Sequence, residues 1–121
     1  MPETSRILVV DDDEGQRALL SNLVKDFGHE ADVAADGFEA LARLKLGFDL
    51  VLLDAKMPGM DGFEVLQKMR EEESEPHIPV LMVTGLDSEK GRRRAVENGA
   101  DDFISKPVQR VDLRARLTSL L

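Results

Sequence analysis

The stretch that decides the fold lies at residues 7–12 and reads Ile7-Leu8-Val9-Val10-Asp11-Asp12. Four branched apolar residues run directly into carboxylates, without the polar alternation of a strand that has one face in water. Continuous apolar runs of this length are typical of strands that are buried on both faces of a parallel sheet. The sequence therefore predicts a strand in the interior of a sheet that helices cover on both sides.

Four other segments complete the predicted sheet. Residues 50–53 and 80–83 repeat the continuous apolar pattern, whereas residues 30–35 and 101–105 are weaker strand candidates. Amphipathic stretches with apolar residues at helical spacing separate these segments. The alternation predicts one α/β domain over residues 1–121, with a short tail at residues 1–5 and a doubly wound, five-stranded parallel sheet flanked by five helices.

The first two helices carry recognisable end signals. Asp13 with Gln16 three residues later resembles a capping box, so the first helix is expected to begin there. Gly28 and Gly47 are expected to stop the first and second helices, because glycine accepts the left-handed backbone that follows many helices.

The fourth helix, expected from Asp87 to Asn98, is predicted to be the least firmly held. Ala95 and Val96 are its main contribution to a core, and Gly91 in its interior costs about 1 kcal/mol relative to alanine. The run at residues 92–94, three consecutive arginines, is expected to form a solvated helix face.

Composition restricts the possible functions. The net charge of −8 disfavours nonspecific binding of nucleic acid or of an anionic membrane by this domain. Trp and Tyr are absent, and with them the usual stacking platforms for single strands. The sequence holds no cysteine, no secretory signal between Met1 and Arg6 and no apolar run near the length of about 20 residues that spans a membrane. A cytoplasmic location is expected.

Polar residues follow the main predicted strands at the point where each strand ends. Asp11 and Asp12 follow the first strand, Asp54 the third, Thr84 the fourth and Lys106 the fifth. In a doubly wound sheet these four strands are close neighbours, and ligands bind outside their carboxyl ends. We therefore expect carboxylates, one hydroxyl and one ammonium to share a small volume.

Carboxylates crowded in this way repel one another. Two unit charges about 4 Å apart interact by roughly 4 kcal/mol at an effective dielectric near 20. A hard divalent cation offsets the repulsion, and an all-oxygen site with room for water suits Mg²⁺. The cation also draws an incoming phosphoryl group towards a carboxylate, so the arrangement predicts an aspartyl phosphate.

Four segments together resemble the receiver domains of two-component response regulators, including the single-domain chemotaxis regulator. They are Ile7-Leu8-Val9-Val10-Asp11-Asp12, Asp54-Ala55-Lys56-Met57-Pro58-Gly59-Met60-Asp61-Gly62, Val83-Thr84-Gly85 and Lys106-Pro107. The resemblance covers the whole chain, and it implies a flavodoxin-like sheet of strand order 2-1-3-4-5.

The resemblance assigns the metal and acceptor positions. Asp54 would be the phosphoacceptor, and Asp12 would bind Mg²⁺ directly. Asp11 would act through a water, and the backbone carbonyl of Lys56 would complete the protein ligands. Asp61 is expected to cap a helix instead of binding the metal.

The resemblance also implies a switch. Thr84 would move towards the phosphoryl group, and Lys106 would pair with it. In the family the Lys-Pro bond is usually cis, so a cis bond is expected for Lys106-Pro107. The movement would vacate space for Phe103, three residues before the lysine. The readout face would comprise the fourth helix, the fifth strand and the fifth helix.

Two positions beside the site are expected to tune the lifetime of the phosphate. Lys56 lies two residues after Asp54, and Leu86 lies two residues after Thr84. Receivers that lose phosphate quickly often carry an amide or an acid at these positions, which can orient an attacking water. Leu86 cannot do so, and slow self-dephosphorylation is predicted.

Two other functions need residues that differ from those in this chain. A haloacid-dehalogenase-like phosphatase needs a second aspartate two residues after the first, where this chain has Lys56. A flavodoxin-like binding module needs a phosphate loop rich in hydroxyls and glycine after the first strand, where this chain has residues 11–14, all acidic.

Several partners are expected. The donor would be a sensor histidine kinase or a phosphotransfer protein, and a homodimer is possible. The segments at residues 99–107 and 113–117 look like those of receivers that precede cyclic-di-GMP output domains. The last helix reaches Leu121 without a stop signal, which agrees with an output domain on the same longer chain.

Overall fold

The computed structural model describes residues 4–72, 77–85 and 89–121. Within them, strands and helices alternate along the chain. The elements are β1 (Arg6–Val10), α1 (Glu14–Asp26), β2 (Glu30–Ala34), α2 (Gly37–Leu44), β3 (Leu50–Asp54), α3 (Gly62–Glu72), β4 (Val80–Thr84), α4 (Glu89–Glu97), β5 (Asp102–Ser105) and α5 (Arg110–Leu120). None of these helices combines the length and the apolarity that crossing a membrane requires.

All strand pairs are parallel, and the strand order is β2-β1-β3-β4-β5. The predicted doubly wound α/β sheet of order 2-1-3-4-5 is therefore confirmed. The register places Asp54 opposite Val83, and Thr84 opposite Ser105. Parallel strands in this register end at one edge of the sheet, which brings the polar residues of that edge together.

The continuous apolar runs supply both faces of the sheet. Alternate residues of β1, β3 and β4 point to opposite sides, as the pleat of a strand requires. One side packs against α2, α3 and α4, and the other packs against α1 and α5. The first cluster includes Leu8, Val10, Val51, Leu53, Val80 and Met82, and the second includes Ile7, Val9, Leu50, Leu52, Leu81 and Val83.

The predicted helix ends agree with the structure. The side chain of Asp13 accepts a hydrogen bond of 2.7 Å from the backbone N–H of Gln16, so Asp13 caps α1. Gly28 and Gly47 follow α1 and α2 with backbone φ angles of 94° and 86°. These values lie in the left-handed region, where a Cβ would be strained.

Three apolar residues at helical spacing are not part of the core, contrary to the sequence pattern. Leu19, Phe38 and Val96 are 48%, 65% and 62% exposed. Each lies beside the buried face of its helix, since successive residues are about 100° apart around a helix. The prediction that Val96 packs into the core is therefore wrong, and Ala95 is the apolar side chain that α4 buries.

Gly62 allows α3 to begin directly behind the end of β3. Its backbone N–H donates a hydrogen bond of 3.0 Å to the carbonyl oxygen of Ala55. A Cβ at this position would collide with the carbonyl oxygen of Asp54 and lie 2.9 Å from the Cα of Ala55. Because the obstructing atoms belong to the backbone, no side-chain rotation can relieve the clash.

Replacing Gly62 with alanine should therefore destabilise the domain. We expect Gly62→Ala to lower the free energy of unfolding by about 1 to 3 kcal/mol, as other overpacked sites do. Urea unfolding followed by circular dichroism measures the change. Gly85→Ala is the control, because a Cβ there meets no atom of the described residues within 4 Å. Equal stability of the two variants would contradict this account of the close approach.

Candidate functional site

Asp54 ends β3 and faces the carboxyl edge of the sheet. Its side chain is almost fully buried, with 3% of the residue exposed. The next residue, Ala55, donates a backbone hydrogen bond of 2.9 Å to the carbonyl oxygen of Val83. The backbone N–H of Lys56 also hydrogen-bonds the Asp54 carboxylate. The sheet therefore extends its pairing past Asp54 and fixes the direction of this carboxylate.

Three carboxylates meet at this edge, as the sequence predicted. One oxygen each of Asp11, Asp12 and Asp54 lies within 4.8 Å of the others. Asp11 is fully buried, whereas Asp12 is exposed. The cluster therefore reaches from the interior of the sheet edge to the solvent, with its open side at Asp12.

Lys106 follows β5 and reaches across to the buried carboxylates. Its Nζ lies 3.0 Å from Oδ1 of Asp54 and 3.7 Å from Oδ2 of Asp11. The first distance is that of a charge-assisted hydrogen bond and the second is too long for one. Lys106 therefore hydrogen-bonds Asp54 and acts on Asp11 only through its charge.

One buried oxygen of Asp11 lacks a hydrogen-bond partner among the residues that the structure describes. Oδ1 accepts a hydrogen bond of 2.9 Å from the backbone N–H of Asp13, but Oδ2 accepts none. A buried carboxylate oxygen without a partner is costly. An oxygen of this kind, beside two other carboxylates, fits a hard cation.

The ionisation of the site reflects its burial. Burial raises the pKa of Asp54 from 3.8 to about 6, while the hydrogen bond from Lys106 opposes the rise and the charge of Asp11 adds to it. Burial lowers the pKa of Lys106, but the hydrogen bond and charge of Asp54 and the charges of Asp11 and Asp12 outweigh this effect and raise it. At neutral pH the Asp54–Lys106 pair is therefore ionised, although burial disfavours the negative charge of the carboxylate.

A depression of about 440 Å³ lies beside the cluster and opens it to solvent. Its lining residues are Asp12, Lys56, Met57, Pro58 and Asp61. The side chain of Asp61 accepts a hydrogen bond of 2.9 Å from the backbone N–H of Glu64, so Asp61 caps α3 as predicted. The β3–α3 loop therefore forms one wall of the depression.

Thr84 and the segment after β5 complete the edge. Thr84 ends β4 and is buried, with 2% of the residue exposed. Its carbonyl oxygen accepts a hydrogen bond of 2.8 Å from the backbone N–H of Lys106. The Lys106–Pro107 peptide bond is cis, which confirms the expectation drawn from the resemblance. Leu86, the second residue expected to tune the phosphate lifetime, lies outside the described residues.

Phe103 lies on β5 and is half-buried against the core cluster that includes α4. Two guanidinium groups contact its ring: Arg92 of α4 at 4.7 Å and Arg116 of α5 at 5.8 Å from the centroid. Arg116 is held in turn by hydrogen bonds of 2.8 Å to Asp102 and Asp112. Sequence spacing gave no signal for these contacts, because they join residues from three elements.

The three arginines at residues 92–94 are not simply a solvated helix face. Arg92 lies over Phe103, and Arg94 lies over the ring of Phe63 at 4.0 Å. Arginine can keep its charged end in water while its planar group covers an aromatic ring. All three residues are exposed, as expected for a solvated face, and Arg92 and Arg94 also place their guanidinium groups over aromatic rings.

Comparison with known proteins agrees with the site. The chain matches the family described as "Response regulator receiver domain" over residues 7–118. It is 43% identical over 118 residues to the response regulator PleD of Caulobacter vibrioides, a match that covers 97% of this chain and 26% of PleD. It is 40% identical over 116 residues to the transcriptional regulatory protein TcrA of Mycobacterium tuberculosis, covering 95% of this chain and 45% of TcrA. The chain thus spans less than half the length of these relatives.

Solved structures give the same result. The chemotaxis protein CheY4 of Vibrio cholerae superposes with a TM-score of 0.91 at 32% sequence identity, covering 98% of this chain and all of CheY4. Neither a haloacid-dehalogenase-like phosphatase nor a flavodoxin-like binding module is favoured. On fold, site and sequence together, the chain belongs to the response regulator receiver domains, which are phosphorylation-dependent signalling switches of two-component systems.

Proposed function

We propose that Asp54 is the residue that accepts the phosphoryl group, in a reaction that depends on Mg²⁺. The observation that carries the proposal is the pairing of Asp54 with Lys106 at 3.0 Å, next to Oδ2 of the buried Asp11, which has no hydrogen-bond partner among the described residues. A structural aspartate gains nothing from a second buried carboxylate beside it. A carboxylate that binds a cation and accepts a phosphoryl group needs both Asp11, as a second carboxylate for the cation, and Lys106, as a counter-charge for the phosphoryl group.

We assign the protein ligands of Mg²⁺ to Asp11, Asp12, Asp54 and the backbone carbonyl of Lys56. The clustered carboxylate oxygens support the first three assignments. When bound, Mg²⁺ would supply positive charge that offsets repulsion between the carboxylates and the incoming phosphoryl oxygens. This arrangement would also give the unpartnered oxygen of Asp11 a counter-charge, directly or through a water.

The transfer itself would use the ionised Asp54. An oxygen of its carboxylate attacks the phosphorus of a phosphohistidine whose other ring nitrogen is protonated; the new P–O bond forms, the P–N bond breaks with its electron pair passing to the ring nitrogen, and neutral imidazole leaves. Lys106 would then pair with a phosphoryl oxygen, and Thr84 would donate a hydrogen bond to another. The domain acts on its own side chain in this step, so it is a signalling domain and not an enzyme acting on a separate substrate.

The relay would run from Thr84 to Phe103. Movement of Thr84 towards the phosphoryl group would free space for the Phe103 ring, and the face formed by α4, β5 and α5 would change. The position of Phe103 between α4 and α5 supports this route. A sensor histidine kinase or a phosphotransfer protein is the proposed donor.

We also propose that an output segment on a longer chain, or a second copy of the domain, reads this face. The relatives PleD and TcrA extend well beyond the matched region, which supports an attached output. The cyclic-di-GMP-related output expected from the sequence is one such segment. Direct binding of nucleic acid or membrane by the domain itself is not proposed, and a cytoplasmic location fits a histidine-kinase partner.

Incubation with acetyl phosphate tests the acceptor assignment. The wild-type domain should gain one phosphoryl group in the presence of Mg²⁺ and none after chelation, as measured by intact mass. Asp54→Asn should gain none under either condition. A phosphoryl group on the Asp54→Asn protein would show that another residue is the acceptor, and a gain that is the same with and without Mg²⁺ would contradict the metal dependence.

The stability of the metal-free domain tests whether burial disfavours the ionised form of Asp54. Because its pKa is raised from 3.8 to about 6, the folded protein binds more protons than the unfolded one between these values. The contribution of Asp54 to stability is therefore greatest below the lower value and is lost as the pH rises through the higher one. At about pH 7.5 in a chelator, Asp54→Asn should raise the free energy of unfolding by about 1 to 3 kcal/mol.

The gain should shrink as the pH falls below about 6 and vanish well below 3.8, where Asp54 is protonated in both states. Urea unfolding at several pH values measures it. Glu97→Gln, which removes the same charge from an exposed site on α4, should show no such trend. A gain that grows on acidification would contradict the assigned direction.

Phosphate lifetime tests the role of Lys56 and Leu86. Replacing both, as Lys56→Asn with Leu86→Glu, should speed loss of the phosphate by roughly tenfold or more, because the new side chains can orient an attacking water. Decay of the phosphorylated mass after removal of acetyl phosphate gives the rate. Lys68→Asn, the same exchange at an exposed site on α3, serves as the control, and an unchanged decay in the double variant refutes the assignment.

A further inference from the structure

The helix α4 has little apolar anchorage. Of its described side chains, Gly91 and Ala95 alone are buried, and neither offers more than a methyl group. Val96 points into solvent. A helix with so small an apolar face depends on other contacts for its position.

Two arginine–phenylalanine contacts hold α4 in position. At about 100° per residue, Arg92 and Arg94 lie on opposite flanks of the stripe formed by Gly91 and Ala95. Arg92 contacts Phe103 of β5, and Arg94 contacts Phe63 of α3 at 4.0 Å, the closer of the two. The helix is therefore attached on one flank to the proposed switch residue and on the other to α3.

The flank of α4 that carries Arg94 contacts the segment that packs against the backbone of Asp54. The guanidinium of Arg94 also lies 3.9 Å from the carboxylate of Asp61, the cap of α3. Gly62, between Asp61 and Phe63, approaches the backbone of Asp54 too closely to admit a Cβ. Asp61, Gly62 and Phe63 thus form a short wall behind Asp54, and Arg94 contacts both ends of that wall.

We propose that Arg94 is a positioning residue for phosphorylation. It holds Asp61 and Phe63 against α4, so that the β3–α3 loop, with the Lys56 carbonyl, stays in the geometry that binds Mg²⁺ and presents Asp54. The proposal rests on the proposed function and adds a connection between the acceptor loop and α4 that does not pass through Thr84. A movement of α4 would then change the geometry of the loop that binds Mg²⁺.

Charge and positioning make opposite predictions for the metal. Arg94 is a cation beside an acidic cluster, so removal of its charge alone should tighten Mg²⁺ binding. Loss of the contact between Arg94 and residues 61–63 should weaken Mg²⁺ binding, because the β3–α3 loop then has to be ordered on binding and this lowers the net affinity. The ion pair with Asp61 is long and more than half of the Arg94 side chain is exposed, so the stack on Phe63 is the main contact.

Titration of Mg²⁺ into the whole chain separates the two effects. We expect Arg94→Gln to weaken Mg²⁺ binding about two- to fivefold, the size of one exposed cation–π contact, as followed by amide chemical shifts. The rate of phosphorylation by acetyl phosphate at limiting Mg²⁺ should fall by a similar factor. Arg94→Lys keeps the charge but lacks the planar group, so it gains nothing from charge removal and should also bind Mg²⁺ more weakly than wild type.

Arg114→Gln is the matched control. It removes the same charge from an exposed site on α5 that lines a groove with Ser5 and Pro79, far along the strands from the acceptor. It should leave Mg²⁺ affinity unchanged. Tighter or unchanged Mg²⁺ binding by folded Arg94→Gln, or equal weakening of binding by Arg94→Gln and Arg114→Gln, would overturn the proposal.

The proposed function can fail separately. If wild-type protein binds Mg²⁺ and gains one phosphoryl group on Asp54 while Arg94→Gln behaves like wild type, only the positioning role is lost. If wild-type protein takes up no phosphoryl group, the acceptor assignment itself fails, whatever Arg94 does.

Discussion

The structure depends on one electrostatic constraint, the burial of Asp11 and Asp54 beside each other at the edge of the sheet. Each carboxylate has lost most of its water, and their repulsion is therefore stronger than it would be at the surface. Lys106 relieves Asp54 through a hydrogen bond of 3.0 Å but leaves an oxygen of Asp11 without a donor. The metal-free site is in this sense incompletely neutralised, which gives a cation and a phosphoryl group a place to bind.

The parallel sheet makes this crowding possible. Its strands are buried on both faces by apolar residues that are almost entirely excluded from solvent, and the hydrophobic effect of that burial outweighs the cost of a strained edge. The same register that pairs Asp54 with Val83 sets Thr84 beside β5 and directs Lys106 towards Asp54. Stability therefore comes from the middle of the strands, and chemistry is concentrated at their carboxyl ends.

The helix α4 differs from the other helices in how it is attached. It buries almost no apolar side chain, and aromatic rings on α3 and β5 receive its arginines instead. Contacts between guanidinium groups and rings tolerate sliding better than interlocked aliphatic packing does, since they are few and partly solvated. A helix attached in this way can shift without disrupting the core, which suits an element of a signalling face.

The sequence by itself determined the parallel sheet and the acidic cluster, because continuous apolar runs that end in polar residues indicate strands buried on both faces whose carboxyl ends meet at one edge. The strand order followed only from the resemblance to receiver domains. The sequence also identified the caps Asp13 and Asp61, since capping is a local interaction. It did not determine the strained ionisation of Asp54, the exposure of Val96 or the stacking of Arg92 and Arg94 on Phe103 and Phe63. Those features depend on distances between elements far apart in the chain, and local patterns of charge and hydrophobicity carry no information about them; only the tertiary structure decided them.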